Sequence, residues 1–530
     1  MTSKALSRWI IAGTLLIAGS CAPVSEAAVG HPDPGLDSPQ TERVLSFGFD
    51  AIKDRYLTDV TMAGVAFEGM RGLSTIDPAL SVEQPAPKRI LLKYRDQKVG
   101  EFPTPGNDDP QAWAGLIMTV ARAAAKVSPD LRDAGTEKLY EAVFDATLAK
   151  LDIFSRYAGA AEARDHRASR NGFGGIGVRY EPHDDDITLT EVMPDTPAAQ
   201  AHLEVGDHIT HIDGQTVVGQ SQDDITRLLR GPIGSPVALT LRRKDKDHQV
   251  VTLRRSLIVP PTVTLAMKDG IATIAISSFN QSTTHNVEED LRAAKAAPNF
   301  KGVVLDLRGN PGGLLDQGVG VAALFMDHGR IVSTRGRNPA SVQTYDAQPG
   351  GIGDDVPLVV LVDGKSASAS EIVAAALQDS GRAVVVGTTS YGKGTVQTVL
   401  RLPNDGEMTL TWSRFHSPSG YALHGLGVMP AICTADDHAA ATALLAKLNE
   451  GHSSVPAHIA QWRATGIEEQ DLRKSLRTNC PAAKHSDVAL DMEVGRDLIT
   501  DRTLYIRALS LTAPVTTTAS TAVRQPTTAH

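Results

Sequence analysis

Cysteine is scarce, with three in 530 residues at positions 21, 433 and 480. So few thiols leave room for one internal bridge and exclude a disulfide-rich scaffold. An excess of basic charge is absent too. Lys and Arg number 52 against 61 Asp and Glu, a net charge of −9, which excludes an electrostatic footprint for nucleic acid. The apolar stretch from Trp9 to about Ser20 is too short to span a bilayer.

That stretch follows Lys4 and Arg8 and has the layout of a secretory signal. Two endings are open. "IAGSC" is similar to a lipoprotein signal-peptidase box, which would leave Cys21 lipidated at the new N-terminus. Small residues from Ser25 to Ala28 also suit ordinary cleavage. Either ending predicts export to the periplasm or cell envelope, with membrane attachment only through a lipid anchor. In an oxidising compartment, Cys433 and Cys480 are expected to pair.

The chain is too long for one core, and its pattern predicts a multidomain α/β organisation. A signal peptide over 1–28 and a linker over 29–40 precede a mainly helical region at 41–165. Short strands with one helix, "SQDDITRLL", fill 172–258. Strands then alternate with helices over 259–435, a helical segment covers 436–511, and a Thr/Ala/Pro-rich tail at 512–530 reads as disordered.

Three suggestive motifs are incomplete. "GFGGIG" (172–177) fits a dinucleotide fingerprint but precedes a strand, "VRYE", where a helix is needed. "GNPGG" (309–313) has Pro311 where a trypsin-like nucleophile loop needs serine, and no matching His/Asp pair accompanies it. What remains is a glycine turn whose N–H groups suit an oxyanion. "HDDD" (183–186) sits between two strands and reads as a solvated hairpin tip, not a metal site. No metal or cofactor is implied.

Glycines entering a strand can instead free N–H groups for a peptide carboxylate. With "VMPDTPAAQAHLEVGDHITHIDGQTV" (192–217) following, this stretch resembles a PDZ domain of the bacterial, protease-associated kind. The resemblance implies a partly open β-barrel with helices. It assigns Gly175, Ile176, Gly177 and Val178 to a loop that binds peptide C-termini.

"GKSASASEIVAAALQD" (364–379) sets three serines at alternate positions before an apolar helix. Ser368 and Glu371 form an S-x-x-E capping box, and a helix N-terminus also suits a nucleophile. A base is then required. "SYGKGTVQ" (390–397) places Lys393 between apolar strands that could bury its amine and lower its pKa, with Gln397 four residues on to orient it. Together with "GVVLDLRGNPGG" and "LDIFSRY", these blocks resemble the C-terminal processing peptidases, or tail-specific proteases.

The resemblance implies a β/α peptidase core with Ser368 as nucleophile, Lys393 as base and Gln397 as third member. Backbone N–H groups of Ala369 and of Gly312 or Gly313 would hold the oxyanion, and Asp379 would support the helix. Ser366 and Ser370 are expected to be small neighbours leaving room for substrate. Partners would be protein or peptide substrates held by their C-termini, with an adaptor protein as a further candidate and no nucleic acid. The alternative is a non-catalytic PDZ scaffold or adaptor on a degenerate peptidase fold.

Overall fold

The computed structural model describes residues 33–243, 246–435, 453–482 and 488–512, with residues 442, 443, 445, 446, 448 and 450 between them. The signal segment with Cys21 and the tail beyond residue 512 lie outside the described residues.

The N-terminal region is built on helices Pro39–Arg55, Met62–Arg71, Pro110–Ala125 and Gly135–Ala149. Their starts follow from local chemistry. Ser38 and Asp109 each cap the first turn of a helix that opens on proline, where the missing N–H costs nothing. Phe49, Phe144 and Tyr157 stack in sequence at this region's core, at 6.2 and 5.2 Å between centroids. The region is not purely helical, however. Leu80–Ala86, Arg89–Tyr94 and Gln97–Pro103 form a three-stranded antiparallel sheet whose Leu80, Val82, Ile90 and Leu92 alternate into the core.

The segment resembling a PDZ domain forms a sheet in the spatial order Lys246–Arg254, Pro236–Arg243, His208–Ile212, Ile187–Val192, Val178–Pro182. Helix Gln222–Leu229 lies beside it, and Phe173–Gly175 pairs antiparallel with Ser256–Ile258 at its base. The "HDDD" turn is only partly solvated. Asp186 is buried, and it accepts from Arg242 and lies 3.1 Å from His208 Nδ1. Among the described residues no group of His, Cys, Asp and Glu could hold a metal ion.

The core sheet runs Val263–Lys268, Ile271–Ile276, Gly302–Asp306, Leu358–Val362, Val384–Gly387, Ile432–Cys433. Its first pair is antiparallel and the rest are parallel, so its inner strands are continuous Val/Leu runs buried on both faces. Helix Val488–Thr500 covers the face bearing Val304, Val359 and Leu361, where Gly495 approaches all three. A second sheet orders Gln343–Asp346, Arg330–Arg335, Glu407–His416, Thr395–Arg401, and Arg156–Ala158 pairs with Glu407–His416. Cys433 and Cys480 are joined as a disulfide across 47 residues. Among the described residues no helix is long and apolar enough to cross a membrane.

Candidate active site

Strand Leu358–Val362 ends in a turn that folds around one carboxylate. Asp363 Oδ1 accepts the N–H groups of Lys365 (2.9 Å) and Ser366 (3.0 Å), and also that of Gly309 (2.9 Å) from the neighbouring glycine turn. The two flanking serines finish the join. Ser366 Oγ donates to Leu307 O (2.8 Å) and Ser370 Oγ to Asn310 O (3.0 Å). Both serines are fully buried, so they tie two turns together and do not border open space for a substrate.

Ser368 is left between them with φ +56° and ψ −114°, a left-handed backbone that costs a non-glycine residue roughly 1–3 kcal/mol. Gly312 packs against it so closely that an added Cβ would lie 2.7 Å from Ala367 O and from Ser368 Cβ. Helix Ala369–Asp379 starts directly afterwards, and Glu371 supplies the firm half of its capping box, accepting Ser368 N–H at 2.8 Å. The other half of the box, Glu371 N–H toward the serine hydroxyl, is also in place.

Glu371 does more than cap. It is fully buried, and its Oε2 also accepts Lys393 N–H at 2.9 Å. Its Oε1 accepts Gly392 N–H at 2.7 Å and the Ser390 hydroxyl at 2.5 Å. Burial pushes this carboxyl's pKa up, and the four donors pull against that. Every partner is a donor, which suits the ionised form. One carboxylate therefore clips the serine turn to the lysine turn.

The Lys393 amine stands over the Phe154 ring, 5.2 Å from its centroid. Desolvation lowers its pKa, the Arg156 charge lowers it further, and Glu371 and Asp152 oppose both. Phe154 is aimed by Asp152, whose Oδ1 accepts the N–H groups of Phe154 (2.7 Å) and Ser155 (2.8 Å). Gln397 does not reach the lysine. Its Nε2 donates to Thr395 Oγ1 (2.8 Å), two residues back on the same face of its strand, and to Thr411 Oγ1 (3.4 Å), its partner across the ladder. Of the glycine-turn donors, Gly312 N–H is engaged by Asn310 Oδ1 at 2.8 Å.

Comparison with known proteins bears on these same segments. The family model "Peptidase family S41" matches residues 270–434, and "PDZ domain" matches residues 174–253. A carboxy-terminal-processing protease of Bartonella bacilliformis is 39% identical over 301 residues, 56% of this chain and 69% of that protein. The chain belongs to peptidase family S41, the carboxy-terminal-processing proteases. This S41 protease is also 32% identical over 297 residues to a probable CtpA-like serine protease of Staphylococcus haemolyticus, spanning 55% of the one and 59% of the other. Among solved structures it is similar to a photosystem II D1 C-terminal processing protease, at 25% identity over 74% of this chain and 92% of that one, with a TM-score of 0.37. It is a serine-type peptidase with a PDZ domain.

In this S41 protease the PDZ loop lines a groove of about 340 Å³ between strand Val178–Pro182 and helix Gln222–Leu229. Gly175, Ile176, Gly177 and Val178 all border it. Gly177 has φ +83°, and an added Cβ would collide with Thr196 at 2.3 Å, so the loop needs glycine there. Tyr180 crosses the groove, donating to Gln222 O (2.9 Å) and meeting Thr226 Oγ1 (2.7 Å). Asp379 lies at the far end of helix Ala369–Asp379. It accepts Ser419 N–H (3.1 Å) and a forked pair from Arg463 (3.0 and 2.7 Å), and so anchors the helix to the C-terminal segment.

Sequence reasoning missed Asp152, Asp363 and the bridging role of Glu371. The Ser-x-x-Glu spacing signalled half of the last.

Proposed function

We propose that this peptidase cleaves proteins whose C-terminal tails occupy the PDZ groove, by a Ser–Lys mechanism through an acyl-enzyme. The observation that carries the reading is Glu371 Oε2 accepting the backbone N–H groups of both Ser368 and Lys393. That shared acceptor fixes nucleophile and base relative to each other, whatever their side chains do.

Ser368 Oγ attacks the scissile carbonyl while neutral Lys393 takes its proton. The developing oxyanion is held by Ala369 N–H, at the positive end of the nucleophile helix, and by Gly313 N–H, since Gly312 is already engaged. The lysinium then protonates the leaving amine, and water attacks the ester with Lys393 again as base. For this the amine leaves the Phe154 ring and swings to Ser368. A tail bound in the PDZ groove would favour that swing. The same reading puts the enzyme outside the cytoplasm, supported by the signal-like N-terminus and the Cys433–Cys480 bridge.

Incubation with an unfolded protein ending in an apolar tail tests this. Cleavage is expected for the wild type and lost in Ser368→Ala and Lys393→Ala, with an acyl adduct on Ser368 seen by mass spectrometry. Equal digestion by all three proteins would overturn the reading. Mass spectrometry of the mature N-terminus tests export.

A further inference from the structure

The S41 match stops at residue 434, yet the segment beyond it grips the turn that carries Lys393. Two turns carry the relevant contacts, 390–394 with Lys393 and 421–428 beside it. They hold each other through Gly425 N–H to Gly392 O (2.9 Å), Ser390 N–H to Val428 O (3.1 Å) and Val428 N–H to Ser390 Oγ (2.8 Å). From outside, helix Gln470–Arg477 presses on both. Arg473 Nη2 donates to Ala422 O and His424 O, each at 2.6 Å. Arg477 reaches further. It donates through Nη2 to Ser390 O (2.9 Å) and through Nη1 to Leu426 O, so one guanidinium bridges the two turns.

Space around that guanidinium is tight. An added Cβ on Gly427 would stand 3.0 Å from Arg477 Nη1, and one on Gly392 would stand 3.4 Å from it. A rigid, charged fork of donors, half-buried against backbone carbonyls, fixes those carbonyls in place. Three residues beyond Arg477, Cys480 is bonded to Cys433 on the last strand of the core sheet, and Thr389 Oγ1 donates to Cys480 O at 2.5 Å. The helix is thus stapled to the core beside the turn that it supports.

We propose that Arg477 is a positioning residue for Lys393, and that the Cys433–Cys480 bridge holds it there, so that turnover depends on the disulfide. This rests on Lys393 being the general base. A dithiol reductant gives two electrons and two protons to the sulfurs and closes into its own cyclic disulfide. The freed helix end then lets Arg477 leave Ser390 O, and the Lys393 turn loses its outer support. The proposed tail groove lies in the PDZ domain, so the loss falls on kcat.

The test uses the full chain and a tail-bearing peptide substrate, oxidised and after treatment with dithiothreitol. Arg477→Ala and the reduced wild type are each expected to lose about 10- to 100-fold in kcat, the scale of a small misplacement of a reacting group. KM should stay within about twofold, the midpoint of the kcat–pH profile should move, and Arg477→Lys should recover part of the loss. Should Arg477→Ala fail to fold, the reduced protein decides, with circular dichroism as the check on its fold. Unchanged kcat and pH midpoint in the reduced protein overturn the proposal. Lys393→Ala is the control. If it still turns over, the Ser–Lys reading fails and takes this one with it. If it is inactive while Arg477→Ala matches wild type, only the role of Arg477 fails.

Discussion

Ser368 and Lys393 donate their backbone N–H groups to one oxygen, Oε2 of Glu371, at 2.8 and 2.9 Å. Residues 25 positions apart in sequence are thereby held by a single buried atom. Glu371→Gln keeps the shape but turns an amide toward donors that need an acceptor. It is expected to lose about 1–3 kcal/mol of stability for the donors left unpaired. A loss of about 100-fold in kcat should follow from the loosened turns. Urea unfolding and steady-state kinetics check both, and an unaltered kcat would detach Glu371 from the chemistry.

The pH dependence follows from the lysine. Its pKa lies below the ordinary 10.5, and with the neutral amine as the proposed base kcat should rise with pH through a midpoint below that value and then level off. Arg156 contributes to the lowering, so Arg156→Gln should move the midpoint upward. A profile flat through the neutral and alkaline range would count against Lys393 as base.

The same lowering has a cost in stability. Between the folded pKa and 10.5 the unfolded chain binds more protons at this position, so stability there rises with pH. Below that window the penalty of the buried ammonium is present in full. Lys393→Met should therefore raise Tm at neutral pH while abolishing turnover, as expected where function holds a destabilising group. Differential scanning calorimetry reads this, and a lower Tm would contradict it.

Asp379 is an anchor and not a member of the reacting group. It is almost fully buried, as is most of its partner Arg463, so Asp379→Asn should cost about 3 kcal/mol by stranding the guanidinium. The kcat–pH profile should not move. A shifted midpoint would return Asp379 to the chemistry.

Gly177→Ala should weaken binding of a labelled peptide with an apolar C-terminus by about 10- to 100-fold, the scale set by a strained backbone. The left-handed φ and the Thr196 collision give the reason. Fluorescence anisotropy measures it, and undiminished affinity would show that this loop does not hold the tail.

Much of the site was legible because its chemistry is local. Ser368 announces itself through the capping spacing, and Lys393 through glycines and apolar strands on either side. Gly177 does so through the glycines that lead into strand Val178–Pro182. The sheet at 80–103 was hidden because its tight turn uses Arg95 and Asp96 at positive φ, without the glycine or asparagine that normally marks one. Glu371 was half visible, since its second set of partners lies 19 to 22 residues along the chain. Gln397 misled because Lys393 lies in the turn before strand Thr395–Arg401, so the four-residue spacing does not run along one strand. Ser366 and Ser370 looked like spacers, but their bonds run to a turn about 60 residues earlier.

The strand pair Phe173–Gly175 with Ser256–Ile258 has a consequence for modularity. The chain passes into the PDZ domain and out of it side by side, across the width of one antiparallel pair, about 5 Å. Before that crossing, Arg156–Ala158 has already taken its place in the second sheet, and every strand of the core sheet comes after it. The PDZ domain is therefore a detachable module. It can be exchanged for another without cutting a single element of the peptidase unit.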